Sequence, residues 1–117
     1  MRNLAQREKV LGPHIKRILL DCARAIRANY PSATIVLYGS QARGQAGPES
    51  DVDLLVLLNE DVTPAKKRAV RGTLYEIGLM RDLVITAIVR SYKAWNSPIS
   101  QATPLYKVIQ QEGIQVP

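Results

Sequence analysis

Two aspartates, Asp51 and Asp53, stand two residues apart at the start of an apolar run, residues 52–58. In an extended strand, side chains two residues apart project from one face, so the two carboxylates lie together while Val52 faces the other way. Like charges this close repel unless a cation lies between them. Carboxylate oxygens suit Mg²⁺ or Mn²⁺, and two such ions about 3.5–4 Å apart serve in-line displacement at phosphorus. The pair therefore predicts a divalent metal site for phosphoryl or nucleotidyl transfer.

A third carboxylate, Asp82, stands just before another apolar run, residues 83–89. We expect Asp82 to open the corresponding strand, as Asp51 and Asp53 open theirs. The alternative for this residue is an ion pair with Arg81 or another nearby cation, which stabilises an exposed site by at most about 1 kcal/mol.

A glycine-serine turn complements the carboxylates. A strand that ends at Tyr38 and turns at Gly39 into a helix at Ser40 lets backbone N–H groups approach an anion. Ser40 is also a good helix cap, which is compatible with phosphate binding. Arg43, one turn later, could donate a charge-assisted hydrogen bond to a phosphate oxygen, or could be a solvated residue or a partner contact. The turn predicts a triphosphate cradle beside the metal site.

The elements that must position these residues are short. Residues 34–38, 52–58 and 83–89 have strand length and read as nearly continuous apolar runs, which indicates a sheet covered on both faces. Apolar residues from Leu11 to Ile26 recur at helical spacing, and Thr63-Pro64 and Thr103-Pro104 are helix starts. We predict one α/β (α+β) domain over residues 1–117, a small mixed sheet of about three core strands flanked by helices, with the segment ending in Gly47-Pro48 as a loop.

The motifs together resemble a known family. Gly39-Ser40 is separated by residues 41–50 from Asp51-Val52-Asp53, with Ala42-Arg43-Gly44 between them. This arrangement resembles the nucleotidyltransferases of the DNA polymerase β superfamily and, within it, the minimal (MNT) type. The resemblance extends to the closing segment, residues 104–113. It implies a nucleotidyltransferase fold over most of the chain.

The resemblance also implies roles for the site residues. Asp51 and Asp53 match the metal-ligating pair of the family, and Gly39 and Ser40 match its phosphate-contacting turn. Asp82 is the candidate for the third carboxylate, which helps to bind the catalytic metal and activates the attacking hydroxyl. The implied enzyme is an Mg²⁺-dependent nucleotidyltransferase that attacks the α-phosphate of ATP and releases pyrophosphate, with Arg43 as a further candidate for holding the triphosphate.

The length of 117 residues bears on where the acceptor of the nucleotidyl group binds. Larger relatives carry an added acceptor-binding domain, so we expect the acceptor site here to come from another subunit, in a hetero-oligomer. The resemblance implies the antitoxin of a HEPN/MNT toxin–antitoxin pair, which transfers AMP to a tyrosine of its HEPN ribonuclease toxin. The alternatives are an antitoxin that neutralises its partner by stoichiometric binding alone, or a nucleotidyltransferase acting on a small molecule or RNA.

The charge of the chain leaves several partners open. A formal net charge of +6 suits nucleic acid, a nucleoside triphosphate or an acidic protein. The absence of Phe and a single Trp disfavour a protein that stacks nucleic-acid bases. A basic cluster, Lys66, Lys67, Arg68 and Arg71, is more typical of a solvated helix face than of a nucleic-acid patch. Nucleic acid is therefore disfavoured as a direct ligand.

Cysteine content and apolar run lengths indicate the compartment. The lone Cys22 has no partner for an internal disulfide and fits a buried position in a reducing environment. The apolar runs are far shorter than the ~18–20 residues of a membrane span, and the residues after Met1 are not those of a signal peptide. We expect a cytoplasmic protein without a membrane segment.

Overall fold

The structure, a computed structural model, describes residues 1–45, 47 and 51–117. Of residues 5–10 it describes the backbone only. Within those residues, strands and helices alternate along the chain. In order they are β1 (Arg2–Asn3), α1 (Leu4–Arg27), β2 (Thr34–Tyr38), α2 (Ser40–Arg43), β3 (Val52–Leu58), α3 (Pro64–Arg81), β4 (Ile85–Ser91), α4 (Tyr92–Trp95), α5 (Pro98–Gln101), α6 (Pro104–Glu112) and β5 (Ile114–Gln115).

The strands form one mixed sheet in the order β1-β5-β2-β3-β4. Strand β3 pairs antiparallel with β2 and parallel with β4, so it lies between the other two predicted strands. Strand β5 adds antiparallel to β2, and β1 adds parallel to β5. The predicted fold class is confirmed. The two added strands are two residues long, too short to produce an alternating apolar pattern in the sequence.

Helices cover both faces of the sheet, as the apolar runs predicted. Alternate residues of β3 enter different clusters, since Leu54 and Val56 pack with α1 and α3, whereas Leu55 and Leu57 pack against Trp95 and Ile109. Cys22 is fully buried in the first cluster, in agreement with its predicted position. The side of the sheet toward α4 and α6 is also the side on which Asp53 projects, because residues 53, 55 and 57 alternate with 54 and 56.

Two predicted helix starts are confirmed by their capping bonds. The Thr63 hydroxyl accepts a hydrogen bond from the Lys66 backbone N–H, and Thr103 accepts one from Tyr106, each at 3.2 Å. A proline lies in the first turn of both helices, where its missing N–H costs nothing.

Other boundaries differ from the prediction. Helix α1 begins at Leu4 instead of Leu11 and is kinked at Gly12, which has a φ of 77° and precedes Pro13. The predicted loop around Gly47-Pro48 lies outside the described residues except for Gly47. Among the residues that the structure covers, no helix combines the length and apolar composition needed to cross a bilayer.

Candidate active site

Asp53 lies at the centre of the candidate site, in β3, which has β2 on one side and β4 on the other. In the sheet register it stands opposite Tyr38 of β2 and opposite Thr86 of β4. Asp53 is half-buried, and Asp51, which immediately precedes β3, is exposed. Val52 between them is fully buried in the core, as predicted. The two aspartates thus flank a residue that anchors the start of β3.

Thr86 holds one oxygen of Asp53. The Thr86 hydroxyl donates a hydrogen bond to Asp53 Oδ1 at 2.7 Å. The sequence analysis missed this residue, although a polar side chain inside the apolar run 83–89 was a visible signal. A bonded hydroxyl orients a carboxylate and limits its rotation, which is how residues around metal sites place the ligands themselves.

Gly39 leaves room for the other oxygen because it has no side chain. A β-carbon at residue 39 would lie 2.5 Å from Asp53 Oδ2 and 3.4 Å from its Cγ. Gly39 also has a φ of 81° and a ψ of −159°, a conformation essentially restricted to glycine. The turn motif and the aspartate motif therefore meet directly, with the backbone of one against the carboxylate of the other.

Tyr38 completes the surroundings of Asp53. Burial raises the pKa of the Tyr38 phenol above its ordinary value of 10.0, and the negative charge of Asp53 raises it further. The phenol therefore remains protonated and neutral at neutral pH. Tyr38 is partly buried and packs against the cluster that contains Val36 and Leu55.

Ser40 begins the short helix α2 instead of capping it. Gly39 occupies the cap position, and no side chain makes a capping bond there, so the prediction of a Ser40 cap is wrong. The reason is the turn itself, since the positive φ of Gly39 is outside the helical range and makes Gly39 the residue that precedes the helix. Ser40 follows Gly39 at the edge of the site, and its contact with phosphate stays a prediction.

Arg43 makes its charged contact with a residue from the far end of the chain. Its Nη1 lies 3.1 Å from both carboxylate oxygens of Glu112, and its Nε donates to Gln45 Oε1 at 2.9 Å. The backbone N–H of Gly39 also donates to Glu112 Oε1, at 3.1 Å. Glu112 was missed by the sequence analysis, because nothing local marks it as a neighbour of residue 39. The predicted contact of Arg43 with a phosphate stays a prediction.

Asp82 is placed differently from the prediction. It ends α3 with a φ of 56° and a ψ of 44°, and the next N–H, of Leu83, bonds back to Gly78 at 2.8 Å. Strand β4 starts only at Ile85, so the prediction that Asp82 opens this strand is wrong. The helix continues to Arg81 and needs a left-handed residue to close it, and Asp is among the few that adopt that conformation readily.

The alternative ion pair of Asp82 with Arg81 is not observed either, because Arg81 pairs with Asp21. Across residues 1–45, 47 and 51–117, no group of three or more carboxylate, imidazole or thiol side chains is arranged to hold a metal ion. Asp82 therefore does not join Asp51 and Asp53 in this structure.

The residues present fit Mg²⁺ as a two-carboxylate site. Mg²⁺ is commonly bound through one or two carboxylates, with water and substrate phosphates completing its shell. Asp51 and Asp53 supply that number of hard oxygen donors, and Asp53 is held between Thr86 and the bare backbone of Gly39. The donor chemistry and the open approach at Gly39 both agree with a cation shared with a phosphate.

Comparison with known proteins decides the family. The sequence profile of the nucleotidyltransferase domain family matches residues 15–114. The chain belongs to this family. The match includes the Gly39-Ser40 turn and both aspartates, and the predicted resemblance to MNT-type nucleotidyltransferases is confirmed.

Two curated relatives of this nucleotidyltransferase domain come from Methanocaldococcus jannaschii, and both are named "Putative protein adenylyltransferase". One is 36% identical over 55 residues, which is 47% of this chain and 56% of the relative. The other is 35% identical over 65 residues, 56% of this chain and 57% of the relative. The chain thus spans just over half the length of these relatives.

A solved structure shares the fold. It is described as the crystal structure of a toxin–antitoxin with AMP-PNP, and it superposes with a TM-score of 0.59 over 86% of this chain and 70% of that chain. The identity is 18%, so the likeness concerns the architecture of the nucleotidyltransferase domain.

Proposed function

We propose that this nucleotidyltransferase domain transfers AMP from ATP to a protein acceptor. The observation that carries the proposal is the contact between Gly39 and Asp53, which puts a glycine turn directly against a carboxylate that faces it from the neighbouring strand. A phosphate held by the turn would then lie beside a cation held by the carboxylates. The names of the two curated relatives support protein as the acceptor class.

In this proposal Asp51 and Asp53 hold Mg²⁺, which when bound neutralises negative charge on the triphosphate. Gly39 and Ser40 contact the phosphates through the turn, and Thr86 keeps Asp53 oriented. The acceptor hydroxyl gives up its proton to water as its oxygen bonds to the α-phosphorus. The bond from this phosphorus to the oxygen that bridges to the β-phosphate breaks, and pyrophosphate leaves. The contribution of the chain is to position the triphosphate and to balance its charge.

We further propose that the acceptor is a tyrosine of a HEPN-type ribonuclease toxin, which this chain silences as its antitoxin. The toxin–antitoxin structure with the same fold supports this context, and AMP-PNP, an analogue of ATP, supports ATP as the substrate. The acceptor would then be brought to the site by the second protein of the pair.

Mass spectrometry of the reconstituted pair tests the proposal. The purified protein is incubated with a HEPN-type ribonuclease, ATP and Mg²⁺, and the ribonuclease is expected to gain the mass of one AMP. Asp53→Asn should reduce this transfer at least about 100-fold, because loss of a metal ligand removes charge stabilisation of the transferred group. Asp61→Asn, the same change at an exposed aspartate before α3, is the matched control. A partner that is inhibited without gaining AMP contradicts the proposal.

One observation favours a second candidate, an antitoxin that acts by binding alone. Thr86, and not a carboxylate, stands opposite Asp53 in β4, and the described residues contain no three-ligand metal group. Asp51→Asn separates the two candidates in cells that produce the toxin. A binding antitoxin keeps its protective effect in this variant, whereas an antitoxin that works by AMP transfer loses it.

A further inference from the structure

We propose that Glu112 is a positioning residue of this site, which braces the Gly39-Ser40 turn and Arg43 so that the turn is preformed for the triphosphate. The inference rests on the proposed function, because it adds a residue to the same site. It also gives Arg43 a role, as the cation through which Glu112 is held, in place of a direct contact with phosphate.

The first support is the set of bonds that Glu112 makes. One carboxylate accepts from the backbone N–H of Gly39 and from Arg43 Nη1, all at 3.1 Å. The Glu112 side chain is only 14% exposed, compared with 43% for Arg43. A shielded carboxylate that bonds both a cation and a backbone N–H is more strongly held than an exposed ion pair. Glu112 thus connects the start and the end of α2.

The second support is how firmly the backbone of Glu112 is held. The next residue, Gly113, donates its N–H to Ile109 at 2.7 Å, and a β-carbon on it would lie 2.5 Å from the same carbonyl oxygen and 2.9 Å from Val36 Cγ1. Beyond it, Ile114 pairs with Leu37 in the strand that leads into the turn. Glu112 is therefore anchored to β2 on one side and reaches the turn after β2 on the other.

The bonds of Glu112, together with this anchoring, favour a brace over a competitor for the phosphate position. A carboxylate that occupied the phosphate position would have to withdraw when the triphosphate binds. Here the buried contacts of Ile109 and Ile114 keep the backbone of Glu112 beside β2. Withdrawal would therefore need rotation of the Glu112 side chain, which breaks its hydrogen bonds to Gly39 and Arg43. We therefore infer that Glu112 keeps its bonds during nucleotide binding, and that the phosphates meet Ser40 and approach Gly39 where it lacks a side chain, not through the Gly39 N–H.

Charge-removing variants test the brace. Glu112→Gln and Arg43→Gln should each raise the KM for ATP about tenfold, with kcat changed by less than about threefold, because each removes a charge-assisted bond that shapes the turn but touches no reacting atom. The KM for ATP of the double variant should exceed that of either single variant by no more than about twofold, since each single variant already removes the same Arg43–Glu112 ion pair. Glu76→Gln, the same change on the exposed face of α3, is the control and should behave like the unaltered protein.

Hydrogen exchange of the Gly39 amide tests the brace without nucleotide. In Glu112→Ala, which removes the acceptor, this amide should exchange at least about tenfold faster than in the unaltered protein, while amides of β3 exchange as before. If the unaltered protein binds no ATP, the proposed function fails, and the exchange experiment still decides whether Glu112 holds the turn. Tighter ATP binding by Glu112→Gln would show that the carboxylate competes with phosphate, and unchanged KM and unchanged exchange would show that it has no role; either result overturns the inference.

Discussion

The carboxylate of Asp53 lies directly against the backbone of Gly39, so closely that a β-carbon at residue 39 would be 2.5 Å from Asp53 Oδ2. This contact joins two motifs that residues 41–50 separate in the sequence. Antiparallel pairing of β2 with β3 creates it, since Tyr38 stands opposite Asp53 and Gly39 follows Tyr38. The candidate site therefore depends on a residue that has no side chain.

Replacement of Gly39 by alanine should damage both stability and activity. The substitution places a methyl group against Asp53 Oδ2 at a φ of 81°, and it should lower the free energy of unfolding by about 1–3 kcal/mol. AMP transfer should fall at least about 100-fold, because the carboxylate or the turn must move. Urea denaturation and the mass-spectrometric transfer assay measure the two effects.

The control for this change is Gly72→Ala. Gly72 is exposed inside α3, and a β-carbon there would meet nothing within 4 Å. Alanine should therefore raise the free energy of unfolding by about 0.5–1 kcal/mol, the usual advantage of Ala over Gly in a helix, and leave transfer unchanged. If Gly39→Ala behaved in the same way as Gly72→Ala, the contact with Asp53 would be unimportant.

Thr86→Val should affect the metal site more than the fold. Valine keeps the branched shape of threonine but has no hydroxyl to donate to Asp53 Oδ1. We expect the Mg²⁺ concentration at half-maximal transfer to rise about tenfold, since a residue that orients a metal ligand typically changes metal affinity by this factor or more. Thr86→Ser retains the donor and should stay close to the unaltered protein. Equal Mg²⁺ dependence in both variants would contradict a role for the hydroxyl.

Asp82→Asn tests whether Asp82 belongs to the site. Asparagine tolerates the left-handed conformation that closes α3, so the variant should remain folded. Because Asp82 is exposed and precedes β4 without joining Asp51 and Asp53, we expect AMP transfer within about threefold of the unaltered protein. A loss as large as that of Asp53→Asn would show that Asp82 does act as the third carboxylate.

Cys22 should make stability depend on pH in the alkaline range. Burial raises the pKa of its thiol from 9.0 to about 12, with a smaller contribution from the charge of Asp21. Between these values the unfolded chain loses the proton while the folded chain keeps it, so the free energy of unfolding falls as pH rises through that range. The stability contribution is fully present below pH 9.

The measurement is urea denaturation of the unaltered protein and of Cys22→Ala at several pH values from 8 to 10.5. The alanine variant is expected to be less stable throughout, because it leaves space in the core, but its stability should decline less steeply with pH. Parallel pH profiles for the two proteins would show that Cys22 does not contribute to the decline.

Features that depend on neighbouring residues could be predicted from the sequence. Helix starts at Thr63 and Thr103 are confirmed because a cap bond spans only three residues. The buried position of Val52 between the two aspartates is confirmed because strand alternation is a property of the backbone. Local patterns could not predict where α3 ends, because residues 79–84 are compatible with both a helix and a strand. In the structure the helix continues to Arg81 and ends at the left-handed residue Asp82.

What the sequence alone determined is the family, the mixed α/β architecture and the two motifs, because each is carried by residue types at short spacing. What only the tertiary structure decided is which residues surround those motifs. Thr86 meets Asp53 through the parallel register of β4, and Glu112 meets Gly39 because α6 returns the chain to the end of β2. Contacts of this kind depend on how distant strands and helices pack together, and no local pattern of residues specifies that packing.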